Sequence, residues 1–159
     1  VLRGAACPVA IIPDEEQDVR DDAPVLVGID GSPASELATA IAFDEASRRG
    51  VDLRAVHAWS DAEILDLGGL DWPTLQIESE QVLAERLAGW QERYPDVAVQ
   101  RVVVCDRPAR ELVNQSKTAQ LVVLGSRGRG GIARMLLGSV SNAVVHSVHR
   151  PIIVARSED

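Results

Sequence analysis

Short apolar runs alternate with longer amphipathic stretches from about residue 24 to residue 156. Val25 to Asp30 reads as a strand. Ser32 then offers an N-cap hydroxyl and Pro33 the first helical position. The stretch to about Arg49 carries Leu37, Ile41, Ala42 and Ala46 at helical spacing, and Gly50 supplies the stop. Asp52 to Ala58 alternates into a second strand. Pro73 opens a long helix to about Tyr94 with Val82, Leu83, Leu87 and Trp90 as its apolar face, and Pro95 ends it. Val97 to Val104 is a third strand. Asp106 and Pro108 mark a helix to about Lys117, with Leu112 and Val113 facing inward. Leu121 to Leu124 is a fourth strand, Val140 to Val148 a helix, and Ile152 to Ala155 a fifth strand.

Strand and helix alternate throughout, so the pattern predicts an α/β domain with a parallel sheet and right-handed crossovers. The composition agrees. Of 159 residues, 46% are hydrophobic but only 3% aromatic, so the core must be Val, Leu, Ile and Ala. Such aliphatic runs suit strands covered on both faces. No apolar run approaches the ~20 residues of a membrane helix, and Val1 to Pro13 does not read as a secretory signal. Cys7 and Cys105 form neither a disulfide framework nor a metal spacing, which points to reduced thiols and a cytoplasmic setting. A net charge of −8 argues against nucleic acid or an anionic membrane as the main partner.

The first thirteen residues, VLRGAACPVAIIP, resemble the carboxyl end. Pro8 aligns with Pro151, Val9 to Ile12 with Ile152 to Ala155, and Val1-Leu2 with Val144-Val145. Both segments read as a helix end, a proline and a short apolar strand, which is a partial internal repeat. Residues 1–13 are therefore expected to be the end of a preceding copy. They are expected to pair, through Val9 to Ile12, with a strand at 151–155 of the same chain or a partner, because an unpaired apolar strand is an aggregation hazard. Asp14 to Asp22, DEEQDVRDD, reads as a solvated linker, and a domain begins near Ala23 and runs to residue 159.

The candidate chemistry lies in GSRGRGGIARMLLGSVS, Gly125 to Ser141, between the fourth strand and the last helix. The carboxyl end of a strand feeding a helix N-terminus is where anions settle in open α/β sheets. Gly125, Gly128 and Gly138 permit close backbone approach. Ser139 and Ser141 offer hydroxyls, and Arg127, Arg129 and Arg134 make the segment locally basic within an acidic chain. That contrast points to a small anion.

The spacing G-x2-G-x9-G-S (Gly125, Gly128, Gly138, Ser139), with VLVGIDGSPAS near the start and RPIIVA at the end, resembles the ATP-binding universal stress proteins. The resemblance covers residues 24 to 156. It implies an open five-stranded parallel sheet of order 3-2-1-4-5 with helices on both faces, adenine-nucleotide alpha hydrolase-like and so Rossmann-like. That order makes the first and fourth strands neighbours and brings Asp30 beside Gly125. The resemblance further implies that Asp30, with Gly31 and Ser32, contacts the nucleotide or Mg2+, and that the backbone of Val56 reads the adenine edge. Phosphates are expected at Gly128 and at Gly138, Ser139, Val140 and Ser141, with Arg127 adding charge. It also implies pairing of last strands across a homodimer or tandem-domain interface. Arg107 stands where the family often has a capping residue. His57 reads as structural, and His146 and His149 are assigned no chemistry.

No Lys follows the glycines as in a Walker A loop, no SGG-type loop follows the first strand, and no nucleophile and base form an evident pair. The expected function is thus an ATP-holding, nucleotide-dependent stress regulator with little or no hydrolysis. The alternatives are a slow Mg-dependent ATPase, with Asp30 on the metal, and a dimerisation scaffold with a vestigial site.

Overall fold

All five predicted strands, and the amino-terminal repeat, join one sheet. The computed structural model describes residues 5–15, 18–59, 71–105, 107–128 and 137–156. Its elements are β1 (Val9–Ile11), β2 (Val25–Gly28), α1 (Pro33–Arg49), β3 (Leu53–Trp59), α2 (Trp72–Arg93), β4 (Val99–Cys105), α3 (Pro108–Ser116), β5 (Leu121–Gly125), α4 (Ser139–Ser147) and β6 (Ile152–Ala155). The sheet order is β1-β6-β5-β2-β3-β4.

Strands β2 to β6 are parallel and neighbour one another in the sense expected, β4-β3-β2-β5-β6. The expectation of a five-stranded sheet is nonetheless corrected. A sixth strand, β1, lies antiparallel against β6, with Val9 opposite Val154, Ala10 opposite Ile153 and Ile11 opposite Ile152. The reason is the one that made the segment conspicuous: β6 would otherwise present an apolar edge with unpaired N–H and C=O groups.

Local chemistry explains the helix ends. Ser32 caps α1 by accepting from the Ser35 N–H at 3.2 Å, and Gly50 closes it at φ 65°. At α3, Arg107 makes no capping hydrogen bond, as its replacement of a capping residue implied. The buried stripe of α1 is Ala38, Ala42, Phe43 and Ala46, each 0% exposed, rather than one centred on Leu37 and Ile41, which are half-buried. The three alanines let the helix lie close to the sheet, and Phe43 fills the core beside Trp90 and Tyr94. On α2 the inward row is Leu75, Ser79, Leu83 and Leu87, and Val82 turns out to be 47% exposed.

The core forms two layers. Val25, Val27, Leu53 and Ala55 pack with Phe43, Leu83 and Leu87 on the α1–α2 face. Leu26, Val56, Val122 and Val154 pack with Leu112 and Val144 on the α3–α4 face. The alternation of Val25, Leu26 and Val27 between these layers is the period-two geometry of a strand buried on both sides. The helices that follow β2 and β5, α1 and α4, therefore lie on opposite faces, and a crevice opens between the ends of these two adjacent strands.

Candidate functional site

At the end of β2 the chain makes a tight turn, Asp30-Gly31-Ser32. Gly31 holds φ 79°, which a residue with a Cβ rarely adopts. One Asp30 oxygen, Oδ1, accepts from the Ser32 N–H at 2.9 Å. The other, Oδ2, lies where a Cβ on Gly128 would meet it at 2.6 Å. Distant Asp30 and the glycine segment are thus brought together, with the carboxylate against Gly128. The Ser32 hydroxyl is buried, accepts from Ser35 and donates to the Arg127 carbonyl at 3.2 Å. It locks the two loops together, with both roles satisfied inside the protein.

The three glycines of the segment are bare for different reasons. A Cβ on Gly125 would sit 2.8 Å from the Ala34 carbonyl carbon and 2.9 Å from the Ser35 nitrogen, so Gly125 lets the first turn of α1 close on β5. Gly128 makes room for Asp30. Gly138 has φ −65°, and its absent Cβ would make only ordinary 3.5 Å contacts with described neighbours. Neither backbone conformation nor packing among the described residues requires a glycine there.

Gly138 is also the N-cap of α4, and no described side chain caps that helix. Its own N–H donates to the Ser126 carbonyl at 2.7 Å, and its carbonyl accepts from Asn142. The N–H groups of Ser139, Val140 and Ser141 belong to the first turn and have no intrahelical partner. Together with the helix dipole they form a ready anion site. The Ser141 hydroxyl is committed elsewhere: it is buried and donates to the Gly125 carbonyl at 2.6 Å, tying α4 to the end of β5. Ser139 is exposed and Arg127 half-buried. Arg129 and Arg134 lie outside the described residues.

The backbone of Val56, expected to read the adenine edge, is engaged in the sheet. Backbone groups alternate sides along a parallel strand. Leu53 donates to Ala98, towards β4, whereas Asp52 and Val56 accept from Val25 and Ile29, towards β2. The Val56 carbonyl is therefore used inside the sheet, by Ile29 at 2.9 Å. Ala58 faces the same way, but β2 has ended at Gly28. A continued ladder would pair Ala58 with the Ile29 carbonyl and the Gly31 N–H. Instead the His57 ring meets the Ile29 carbonyl through Nδ1 at 2.7 Å, and Gly31 donates to the Ser35 hydroxyl at 3.1 Å. Among the described residues, no backbone bond joins Ala58 to either.

Three contributors were not evident in the sequence. Ala58 was not singled out, because whether its peptide is paired depends on where a neighbouring strand stops. Ser35 was read only as part of a helix. Arg86 of α2 lays its guanidinium against Gly31, with Nη1 2.5 Å from the missing Cβ, and makes a 3.5 Å ion pair with Glu36. No local pattern signals that contact. His146 and His149 are exposed on and beyond α4. Among the described residues no cluster of three metal-ligating side chains occurs, and no helix is long and apolar enough to cross a membrane.

Comparison with known proteins places the chain in a family. The model of the universal stress protein family matches residues 23–156. Universal stress protein Rv2005c of Mycobacterium tuberculosis (strain ATCC 25618 / H37Rv) is 68% identical over 158 residues, covering 98% of this chain and 54% of its own length. This chain thus spans about half the length of the curated relatives it matches. A universal stress protein from Archaeoglobus fulgidus, solved in complex with dAMP, is 20% identical, with TM-score 0.61 over 84% of this chain and 97% of that one. A universal stress protein solved in complex with cAMP is 24% identical, with TM-score 0.61 over 84% and 95%. At such identities the two structures establish a shared fold.

Proposed function

The chain belongs to the universal stress protein family, and from that premise we propose that it binds ATP, holding the nucleotide as a stress-response regulator with little or no hydrolysis. The observation that carries this reading is Gly138, a glycine the described fold does not itself require, at the open N-terminus of α4. A bare Cα and three outward N–H groups suit phosphate oxygens, which approach backbone closely and carry negative charge. The dAMP and cAMP held by the two structural neighbours support the adenine class of ligand.

In this reading the phosphates lie on Gly138, Ser139, Val140 and Ser141, beside Gly128, with Arg127 adding positive charge. Asp30 accepts from ribose hydroxyls or meets Mg2+. A magnesium ion keeps several waters and uses one or two carboxylates plus phosphate oxygens. Asp30 supplies one carboxylate, so the ion would arrive with the triphosphate. The base lies over the end of β3, where the Ala58 peptide takes the part first expected of Val56. Gly125, Gly31 and Ser32 shape the loops rather than touch the ligand.

The antiparallel β1–β6 ladder supports a second element of the proposal, pairing through last strands in a homodimer or tandem protein. Under the repeat alignment Val9, Ala10 and Ile11 correspond to Ile152, Ile153 and Val154. The observed register then pairs Ala10 with its own equivalent, Ile153, and makes the flanking pairs reciprocal. That reciprocity is the mark of a two-fold interface, and supports the reading of residues 1–13 as the remnant of a preceding repeat. The reading keeps the protein cytoplasmic, with Cys7 and Cys105 at opposite edges of the sheet.

Calorimetric titration with MgATP, with GTP as control, tests the proposal. Adenine-selective binding without turnover is expected. Multiple-turnover phosphate release lost in Asp30→Ala would favour a slow ATPase, and a stable dimer that binds no nucleotide would favour a scaffold.

A further inference from the structure

We infer that His57 is a positioning residue for base recognition: its ring takes the Ile29 carbonyl out of the sheet ladder, leaving the Ala58 peptide edge for an adenine. The inference rests on the nucleotide reading above and extends it to a residue that touches no ligand.

Beyond Gly28 the chain of β2 still lies near β3, since the Ile29 N–H reaches the Val56 carbonyl at 2.9 Å. One further step of the parallel ladder would send the Ala58 N–H to the Ile29 carbonyl. That carbonyl instead contacts His57 Nδ1 at 2.7 Å. A carbonyl only accepts, so Nδ1 carries the proton in this contact. The matching step on the other side would send the Gly31 N–H to the Ala58 carbonyl, and that N–H is drawn to the Ser35 hydroxyl at 3.1 Å. Ser35 is itself buried and held by donating to the Ser32 carbonyl at 3.0 Å. Two side chains from different elements thus end the ladder one residue early.

The result is a donor and an acceptor from one residue, both on the β2-facing edge of β3 and taken by no backbone group among the described residues. Ala58 is half-buried and has the smallest chiral side chain, so the edge stays accessible. Adenine presents a ring nitrogen acceptor beside an amino donor, which this edge complements. Guanine presents a ring N–H beside a carbonyl, which would set donor against donor and acceptor against acceptor. A site that leaves buried polar groups unpaired against the wrong ligand discriminates strongly. His57 and Ser35 therefore govern selectivity by holding the edge open, and His57 is the separable one because Ser35 also braces α1.

Two variants test it in the full chain. His57→Phe keeps a ring and removes the donor. His57→Asn keeps an N–H near the Nδ1 position. Calorimetry with ATP and GTP gives the selectivity of each, and amide exchange followed by NMR in nucleotide-free protein gives the state of the Ala58 N–H. In the unmodified chain the Ala58 amide should exchange at least ~100-fold faster than Val56, whose peptide is inside the ladder. In His57→Phe the Ala58 amide should slow by ~10-fold or more as it closes on Ile29. The ATP-over-GTP preference should shrink by a similar factor, and His57→Asn should keep it within ~3-fold. A protected Ala58 amide in the unmodified chain overturns the inference. So does an unchanged ATP-over-GTP ratio in His57→Phe, or an equal loss in His57→Asn. Absence of nucleotide binding in the unmodified chain would instead defeat the parent reading, while the exchange measurement still decides whether His57 holds the edge open.

Discussion

Replacing Gly138 by alanine separates ligand binding from folding, and its size can be worked from the structure. At φ −65° and ψ 157° the backbone accepts any L residue, and the new methyl meets described neighbours at an ordinary 3.5 Å. Loss of unfolded-state freedom stabilises by about 0.4–1 kcal/mol. Alanine is a poorer N-cap than glycine by roughly the same amount. The two nearly cancel, so Tm should move by no more than about 3 °C, given a shift of about 2–4 °C per kcal/mol at this size. Binding behaves differently. Under the proposed placement of phosphate on the α4 N–H groups the methyl stands in its approach, and one lost charge-assisted hydrogen bond is worth about 1.5–3 kcal/mol. At 1.4 kcal/mol per tenfold that weakens Kd by roughly 10- to 150-fold. Gly138→Val, with two more carbons, should abolish detectable binding. The informative control is Gly125→Ala, whose methyl would press on α1 backbone at 2.8–2.9 Å. Overpacking of that kind costs about 1–3 kcal/mol, so its Tm should fall even without nucleotide. Thermal melts with calorimetry on the three variants decide the matter. A Gly138→Ala protein with unchanged Tm and a Kd within twofold of the parent would refute the placement of phosphate at α4.

Other outcomes follow from single contacts. Gly128→Ala should weaken binding and displace the Asp30 carboxylate, whereas in an Asp30→Ala background the same change should have a smaller added effect; a double-mutant cycle on Kd and Tm measures the coupling. Ser141→Ala removes a 2.6 Å hydrogen bond to the Gly125 carbonyl. It should cost about 1–2 kcal/mol and lower Tm by about 2–8 °C, read by calorimetric melting. For the sheet edge, Ala10→Cys with Ile153→Cys, in a background lacking Cys7 and Cys105, should oxidise to an intrachain disulfide, because directly opposed strand residues fall within bonding range. Mass spectrometry of the oxidised chain would show a mixture of intermolecular links if β1 does not lie in this register.

Most of the architecture was legible because its causes are local. Continuous apolar runs such as Val25-Leu26-Val27 mark strands buried on both faces. Ser32, Pro33 and Gly50 mark the ends of α1. Pro8 and the apolar residues after it announced a strand, and sheet-edge chemistry told what that strand must do. The nearness of Asp30 to the glycine segment followed from the strand order that the family resemblance implied.

What the sequence alone determined, then, is the alternation of strands and helices, the glycine and serine loop at a helix start, and the repeated proline-strand unit. What only the tertiary structure decided is the division of labour within that loop. Gly125 serves α1 and Gly128 serves Asp30, both through contacts between distant segments, while Gly138 has no such obligation among the described residues. The difference between a paired Val56 peptide and the Ala58 peptide proposed for the base was likewise tertiary. A residue's position in β3 sets which way its peptide points, but whether that peptide is paired or open depends on where β2 ends and on which side chains capture its last groups. Those are properties of two strands and a helix together, and no single stretch of chain encodes them.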